Sequence, residues 1–206
     1  MADETGGSLI VAIVGPTCSG KTTASKRIQE ALGDTCRVLH QDNFYKSAKP
    51  TDNFDVPSAI DIPELISVLK EIRAGKQVEV PQYDFHTHSR LKNKMMFEPR
   101  RITIVEGILL LCDDELRDLC DIKVFIKSDP AVTKARRLER DVRERGRTRD
   151  SVIRQYNDHV VPSNRDYVEP SHIHADHFLV DNADFTFQHM DELLTDINKR
   201  IRFVPQ

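Results

Sequence analysis

The chain has 206 residues, a net charge of −3 and 31% charged residues. This balance gives no basic character that would indicate a nucleic-acid partner, and no apolar run approaches the roughly 20 residues needed to span a bilayer. The length suits a single domain over residues 1–206. Residues 1–7 are polar and acidic and lack the order of a secretory signal, so we expect a disordered tail there.

The cysteines give no sign of a metal site or of a disulfide framework, because they form no C-x-x-C pair and lack zinc-ligand spacing with histidine. Free thiols are typical of the reducing cytosol, so the sequence predicts a cytoplasmic protein. The four residues are Cys18, Cys36, Cys112 and Cys120.

The first predicted elements enclose a specific motif. The apolar run over residues 9–14 predicts a buried strand, and residues 23–32 have apolar positions at helical spacing. Between them lies G-x-x-x-x-G-K-T, a loop whose main-chain N–H groups cradle phosphates. Lys21 can reach the terminal phosphates, and the Thr22 hydroxyl can reach a Mg²⁺ ion. We therefore predict binding of a nucleoside triphosphate by Gly15, Pro16, Thr17, Cys18, Ser19, Gly20, Lys21, Thr22 and Thr23.

The next elements continue an alternation of strands and helices. Residues 37–40 predict a strand, and a helix is expected to start at its cap, Asp61, and to end at Gly75. Residues 78–85 alternate weakly and predict a hairpin with residues near 95–100.

The remaining elements follow the same alternation. Strands are predicted at residues 102–105, 122–126 and 177–180. Helices are predicted at residues 113–119, from Asp129 to Glu144, from a Ser151 cap to about Val160, and at residues 188–203. Buried strands separated by helices predict an α/β fold with a mostly parallel central sheet and helices on both faces. Ligands then collect at the carboxyl ends of the strands.

Two acidic residues follow predicted strands at that edge of the sheet. Glu106 ends a hydrophobic strand, and we assign it to the metal together with Thr22. Asp42 follows the second strand, and we assign it as the general base that accepts a proton from an attacking hydroxyl. Each could instead be a strand-end cap or a turn acid, but the edge shared with the phosphate loop favours the catalytic interpretation.

Seven arginines lie between Arg136 and Arg149. They could form a solvated helix with ion pairs to the interleaved acids. They could also form a nucleic-acid patch, although no aromatic side chains interleave to stack bases. The phosphate loop favours a third interpretation, a movable lid that closes over the triphosphate, because guanidinium donors match phosphate oxygens in pairs. Spacing alone does not show which arginines contact phosphate.

Several further segments occur in one order along the chain. They are QDNFY (41–45), NFDVPSAID (53–61), PQYDFHTHSR (81–90), VEGILLL (105–111), RRLERDVRERGR (136–147) and SVIRQYNDHVVP (151–162). With the phosphate loop in front, this set resembles the uridine kinase (uridine–cytidine kinase) family of P-loop kinases over roughly residues 8–182. The resemblance implies a P-loop kinase fold with a small β-hairpin substrate element and an arginine-rich helical lid.

The resemblance also implies an activity, ATP- and Mg²⁺-dependent phosphorylation of the 5′-hydroxyl of uridine or cytidine, which belongs to pyrimidine salvage. It implies catalytic roles for Asp42, Lys21 and Arg137, and lid contacts to ATP by Arg137, Arg140 and Arg145. It implies nucleoside contacts by Asp55, Tyr83, Phe85, His88, Arg147 and Gln155. A carboxylate such as Asp55 suits a ribose diol, and histidine can donate or accept towards either pyrimidine. The family further implies a homotetramer and inhibition by CTP or UTP.

The chain departs from the family pattern in three places. Residues 46–52 are shorter than usual, Val56 and Ile60 replace a histidine and an aromatic residue, and His86 adds a second histidine to the base-reading loop. A related kinase acting on nicotinamide riboside, pantothenate or a sugar phosphate therefore stays an alternative. A non-catalytic nucleotide-binding switch is a third, although the sequence lacks the N-K-x-D motif of GTPases. The residues do not rank uridine against cytidine.

Overall fold

The computed structural model describes residues 7–49 and 51–203 of the chain. Most of the predicted disordered tail, residues 1–6, lies outside the described residues. The strands are, in chain order, β1 (Leu9–Val14), β2 (Cys36–His40), β3 (Val78–Val80), β4 (Tyr83–Asp84), β5 (Ser89–Arg90), β6 (Met95–Phe97), β7 (Ile102–Gly107), β8 (Ile122–Lys127), β9 (His177–Asp181) and β10 (Phe187–Gln188). The α-helices are α1 (Lys21–Leu32), α2 (Ile62–Arg73), α3 (Asp114–Asp118), α4 (Pro130–Arg143), α5 (Arg149–Gln155), α6 (Val161–Ser163) and α7 (Met190–Arg200).

The central sheet has six strands in the order β10-β9-β8-β1-β7-β2. Neighbouring strands from β9 to β2 are parallel, and β10 alone runs antiparallel, against β9. At its centre, Val11 of β1 lies opposite Ile104 of β7 on one side and Ile122 of β8 on the other. The predicted, mostly parallel α/β sheet is confirmed.

Helices cover both faces of this sheet, which explains the unbroken apolar run of β1. Its even-numbered residues, Ile10 to Val14, pack in one buried cluster with Leu65 and Leu69 of α2. Its odd-numbered residues, Leu9 to Ile13, pack in a second cluster with Ile28 of α1 and Leu193 of α7. A strand that is buried on both sides has no polar face, so alternation disappears.

The helix after residue 60 begins as its capping pattern predicts. The Asp61 carboxylate accepts a hydrogen bond from the Glu64 N–H at 3.2 Å, with a proline in the first turn. The helix ends before Gly75, which has a left-handed φ of 74°. This helix carries the apolar stripe that covers one face of the sheet.

The predicted hairpin is divided between two small sheets. Strand β3 pairs antiparallel with β6, as the alternation predicts. Between them, β4 pairs antiparallel with β5 and places Tyr83 opposite Arg90. Arg90 fixes this inner hairpin to the body of the protein, because its guanidinium donates to the Phe44 and Tyr45 carbonyls at 3.0 and 2.8 Å and to Glu64 at 2.6 Å.

The region after the arginine run differs from the prediction. Thr148, and not Ser151, caps α5, because its hydroxyl accepts from the Ser151 N–H at 3.3 Å. The helical backbone then continues to His174 through π-helical turns at Tyr156–Val160 and Asn164–Val168 and a 3₁₀ turn. Pro162 and Pro170 lie in this stretch and supply no N–H, so the helix is irregular there.

The end of the chain contains a short strand that no periodicity signals. Strand β10 has only two residues, too few to show alternation, and it precedes α7, which begins at Met190 and not at Gln188. The helix gives way to a 3₁₀ turn at Ile201–Phe203. Within residues 7–49 and 51–203, no helix has the length and apolar character to cross a membrane.

Candidate active site

The phosphate loop connects β1 to α1 at the carboxyl edge of the sheet. The residue before α1, Gly20, has a φ of 90°, and a β-carbon there would lie 2.9 Å from the ring of Phe187. Glycine is therefore required for both conformation and space. The first N–H groups of α1 lack partners inside the helix and point into the loop, as in other anion sites.

Lys21 lies across this loop. Its ammonium donates to the main-chain carbonyls of Gly15 at 3.1 Å and Pro16 at 2.8 Å. Burial lowers the pKa of Lys21 more than the nearby Glu106 carboxylate raises it. The loop carbonyls thus hold the ammonium beside the cradle that the motif predicts for phosphate.

The predicted metal residues are in contact with each other. The Thr22 hydroxyl donates to Oε1 of Glu106 at 3.0 Å, and Nδ1 of His40 lies 2.7 Å from the same oxygen. Burial alone would raise the pKa of Glu106, but the His40 hydrogen bond and the Lys21 charge lower it further than burial raises it. Glu106 is therefore a carboxylate, although it is only 7% exposed.

The oxygen atoms of Thr22 and Glu106 fit Mg²⁺, which prefers hard oxygen ligands. No group of three or more His, Cys, Asp or Glu side chains in the described part of the chain forms a complete metal cage. Magnesium commonly takes one or two protein ligands and completes its shell with phosphates and water. The two side chains therefore suit a metal that arrives with a triphosphate.

Asp42 lies at the same edge, directly after β2. The preceding residue, Gln41, is fully buried, and its Oε1 accepts from the Leu109 N–H at 3.0 Å. A β-carbon at Gly107 would overlap the Gln41 side chain, so glycine permits this close approach of the two strand ends. The end of β2 is thereby locked to the end of β7, which carries Glu106.

The carboxylate of Asp42 faces the same cleft as the phosphate loop. Burial raises its pKa, and so does the charge of Glu106, whereas Arg145 and Lys21 lower it to a smaller extent. The net direction is upward, which brings the carboxyl closer to the range of an effective general base.

A single cleft of about 430 Å³ contains both predicted acids and most of the other predicted side chains. We call the end formed by the phosphate loop, Lys21 and Glu106 the donor side. We call the end formed by Phe54, Asp55, Phe85 and His88 the acceptor side. The lining residues named from the sequence are Thr17, Cys18, Gly20, Lys21, Thr22, Thr23, Asp42, Asp55, Phe85, His88, Glu106, Arg137, Arg140, Arg145, Arg147 and Gln155.

Asp55 is buried at the acceptor side. Its Oδ1 lies 3.6 Å from Nη1 of Arg137, and its Oδ2 has no hydrogen-bond partner among residues 7–49 and 51–203. Its own N–H donates to Oδ1 of Asn53 at 3.0 Å, and Asn53 in turn donates to Ser163. A buried oxygen without a partner is costly, so this atom can accept a hydrogen bond from a ligand.

Aromatic rings form the wall next to Asp55. His88 stacks on Phe54, with ring centroids 5.1 Å apart and planes inclined by 25°. The Phe85 ring carries the Arg145 guanidinium 4.1 Å above its centroid. Burial lowers the pKa of His88, and the charges of Arg147 and Arg145 lower it further. The imidazole is therefore neutral near neutral pH.

Tyr83 does not line the cleft. Its ring packs behind the wall, 5.4 Å from Tyr45 and 5.2 Å from Phe85, and its buried hydroxyl has no hydrogen-bond partner in the part of the chain that the structure describes. Burial raises the pKa of Tyr83 to about 12. The structure thus gives Tyr83 a place in the packing that supports Phe85, one layer from the predicted nucleoside contact.

The predicted lid lies over the donor side. Arg137 donates to the Thr17 hydroxyl in the phosphate loop at 3.0 Å and to Gln155 at 3.2 Å. Arg147 also donates to Gln155. Arg136, the first arginine of this run, pairs with Asp181 at 2.6 Å and holds the helix against the sheet.

The side chains that depart from the family pattern lie either in the core or outside the cleft. Ile60 is buried in the core, and Val56 does not line the cleft. His86 is exposed, outside the cleft, and its N–H donates to Asp84 at 2.9 Å. None of these three side chains is among the residues that line the cleft.

Sequence reasoning missed three residues whose contacts become visible only in the folded chain. His40 is the last residue of the predicted strand, but only the pairing of β2 with β7 brings it to Glu106. Phe54 directly precedes Asp55, but no motif or spacing in the sequence marks it as a site residue. Asp141 is one of the acids interleaved with the arginines, and the sequence does not indicate that its side chain is fully buried among them.

A family model described as the Phosphoribulokinase / Uridine kinase family matches residues 10–192. Uridine-cytidine kinase A of Dictyostelium discoideum is 45% identical over 174 residues, 82% of this chain and 35% of that protein. Uridine kinase of Lactococcus lactis subsp. lactis is 41% identical over 177 residues, 82% of this chain and 86% of that protein. The chain thus spans just over a third of the first relative and most of the second.

Solved structures share the fold at low identity. D-glycerate 3-kinase from Cryptococcus neoformans var. grubii superimposes with a TM-score of 0.67 at 17% identity, covering 88% of each chain. Phosphoribulokinase from Rhodobacter spheroides gives a TM-score of 0.63 at 15% identity, covering 89% of this chain and 74% of that one. The chain has the P-loop kinase fold and belongs to the phosphoribulokinase/uridine kinase family.

Proposed function

We propose that this chain transfers the γ-phosphoryl group of ATP to the 5′-hydroxyl of uridine or cytidine, giving the nucleoside monophosphate and ADP. The observation that carries the proposal is one cleft that joins a phosphate cradle to an aromatic wall, with Asp42 in the same cleft. The relatives named uridine kinase and uridine-cytidine kinase support this acceptor class.

The donor side would bind the triphosphate. Main-chain N–H groups of the loop and the start of α1 cradle the phosphates, and Lys21 adds positive charge beside them. When bound, Mg²⁺ would neutralise charge on the phosphate oxygens, held by the Thr22 hydroxyl and the Glu106 carboxylate. His40 fixes Glu106 through its short hydrogen bond.

Asp42 would act as the general base. Its carboxylate takes the proton of the 5′-hydroxyl as that oxygen forms a bond to the γ-phosphorus and the bond from this phosphorus to ADP breaks. The raised pKa makes the carboxyl a stronger proton acceptor than an exposed aspartate. The lid guanidinium groups of Arg137, Arg140 and Arg145 compensate the charge that spreads over the phosphoryl oxygens.

The acceptor side would hold the nucleoside. The Oδ2 of Asp55, which has no partner within the described ranges, can accept a hydrogen bond from the ribose diol, and the His88–Phe54 stack forms an edge for a flat pyrimidine. Neutral His88 can either donate or accept, which suits both uracil and cytosine. Phe85, supported by Tyr83, closes the wall, and Arg147 with Gln155 borders it.

Cytoplasmic location, a single domain, a homotetramer and inhibition by CTP or UTP remain predictions. They derive from the cysteines, the chain length and the family resemblance. Sedimentation of the purified chain tests the tetramer, which predicts about four times the monomer mass of 23.6 kDa.

A panel of acceptors tests the proposed function. Purified protein with Mg-ATP is incubated separately with uridine, cytidine, nicotinamide riboside, pantothenate and ribulose 5-phosphate, and ADP formation is followed with product identification. We expect turnover of uridine and cytidine. Turnover confined to a non-pyrimidine acceptor would replace the proposal with one of its alternatives, and ATP binding without any turnover would favour the switch protein.

A further inference from the structure

A buried carboxylate lies at the centre of the arginine lid. The side chain of Asp141 is fully buried, and its Oδ1 lies 2.8 Å from Nη2 of Arg140 and 3.5 Å from Nη1 of Arg145. Its Oδ2 lies 3.4 Å from Nε of Arg137 and 3.9 Å from Nη1 of Arg147. One carboxylate therefore contacts four guanidinium groups.

The carboxylate and the arginines face different directions. All four arginines line the cleft, whereas Asp141 does not. Gln155 adds a second anchor, because its Oε1 accepts from Arg137 at 3.2 Å and also from Arg147. Arg137 reaches the phosphate loop as well, through Thr17 at 3.0 Å. The guanidinium groups are thus held from behind and directed towards the space for phosphates.

Simple charge pairing for stability does not account for this arrangement, because buried ion pairs contribute little to stability on balance. Even with Asp55 near Arg137, the guanidinium groups outnumber the carboxylates that they contact. Burial alone would raise the pKa of Asp141, but Arg140, Arg137 and Arg145 lower it further than burial raises it. The carboxylate is therefore ionised, and a surplus of positive charge remains towards the cleft.

We propose that Asp141 is a positioning residue, which fixes Arg137, Arg140, Arg145 and Arg147 for a triphosphate that it does not itself touch. The proposal rests on the proposed kinase function. A group that orders side chains before the ligand arrives lowers the entropy lost in the transition state. The same negative charge also competes with phosphates for the guanidinium groups, so its two effects on catalysis and on binding are opposed.

This opposition gives the Asp141→Asn variant a distinctive signature. Asparagine keeps the shape and removes the charge. We expect kcat for uridine to fall by about 10- to 100-fold, because the guanidinium groups lose their fixed orientation towards the transition state. We expect the Kd for Mg–AMP-PNP, measured by calorimetry without nucleoside, to stay the same or to decrease, because the cleft becomes more positive.

The Asp141→Glu variant separates charge from packing. Glutamate keeps the charge but overfills a fully buried site, so a packing role predicts that Glu is worse than Asn. A positioning role predicts the reverse order in kcat, with the native chain highest, Glu second and Asn lowest. Asp150→Asn, the same change at an exposed position at the start of α5, serves as control and should leave both constants unchanged.

Three results would overturn the proposal: native kcat in Asp141→Asn, a joint loss of kcat and AMP-PNP affinity in that variant, or a lower kcat in Glu than in Asn. If Asp141→Asn does not fold, Asp141→Glu alone tests the proposal. A reduced kcat together with native AMP-PNP affinity in that variant supports the positioning role, and any other combination of kcat and affinity contradicts it. A native chain that fails to phosphorylate uridine would instead remove the proposed function, so the two failures are distinguishable.

Discussion

The donor side and the acceptor side of the cleft are held in different ways. On the donor side, Lys21 bonds to loop carbonyls, and Glu106 bonds to both Thr22 and His40. On the acceptor side, Asp55 keeps one buried oxygen without a hydrogen-bond partner among the described residues. The sheet thus preorganises the donor side, whereas the acceptor side leaves hydrogen-bonding capacity for its ligand. Mutations at the two sides should therefore change different kinetic constants.

Of the changes that compare the two sides, Glu106→Gln on the donor side is expected to have the largest effect. We expect kcat to fall by about 100-fold, because a neutral amide provides weaker support for the metal and for Thr22. The Mg²⁺ concentration for half-maximal rate should rise, while the uridine KM should change little. Initial rates over a Mg²⁺ series measure both.

Glu98→Gln is the matched control for this change, because Glu98 is exposed and pairs only weakly, with Arg37 at 3.8 Å. It should leave the Mg²⁺ dependence unaltered. An Mg²⁺ dependence in Glu106→Gln that matches the native chain would show that Glu106 does not support the metal.

A smaller effect is expected on the acceptor side, from His88→Asn. His88 has a left-handed φ of 52°, which asparagine adopts more easily than alanine. The shorter side chain loses its stack on Phe54 and cannot reach the base, so the uridine KM should rise by about tenfold with the ATP KM unchanged. Steady-state kinetics with each substrate varied in turn measure this.

His86→Asn makes the same substitution two positions earlier, at an exposed side chain outside the cleft. The uridine KM and the ATP KM should both keep their native values in His86→Asn. Equal increases of the two KM values in His88→Asn would point to general misfolding and would remove His88 from base recognition.

The smallest effect concerns pH. Burial and the charges of Arg147 and Arg145 lower the pKa of His88 below the ordinary 6.5, so the ring gains its proton only in more acidic solution. The uridine KM should therefore be constant from about pH 8 down to 6.5 and rise only below that value. A KM that already changes about a midpoint of 6.5 or higher would contradict the neutral ring.

The two sides also differ in how far their residues can be predicted from local signals in the sequence. The donor side follows from local signals, because the motif places Lys21 and Thr22, and strand ends place Asp42 and Glu106. On the acceptor side, spacing alone does not distinguish His88 from a surface histidine, and its assignment depends on the family resemblance.

The residues that were not predicted have different physical causes. Strand pairing brings His40 to Glu106, which lies 66 residues further along the chain. Asp141 is buried locally, because the turn after α4 brings Arg145 and Arg147 back to the carboxylate that Arg137 and Arg140 already contact. Neither residue type is unusual at its place in the sequence. The irregular helix from α5 to His174 escaped prediction because its prolines break the period that identifies helices.

The most direct test of the central claim is a single-turnover experiment with Mg-ATP and uridine on the native chain and on Asp42→Asn, with AMP-PNP binding measured in parallel. The account predicts that the native chain forms uridine 5′-monophosphate, and that the variant binds AMP-PNP normally but transfers phosphate at least about 1,000-fold more slowly. Transfer by Asp42→Asn at the native rate would contradict it.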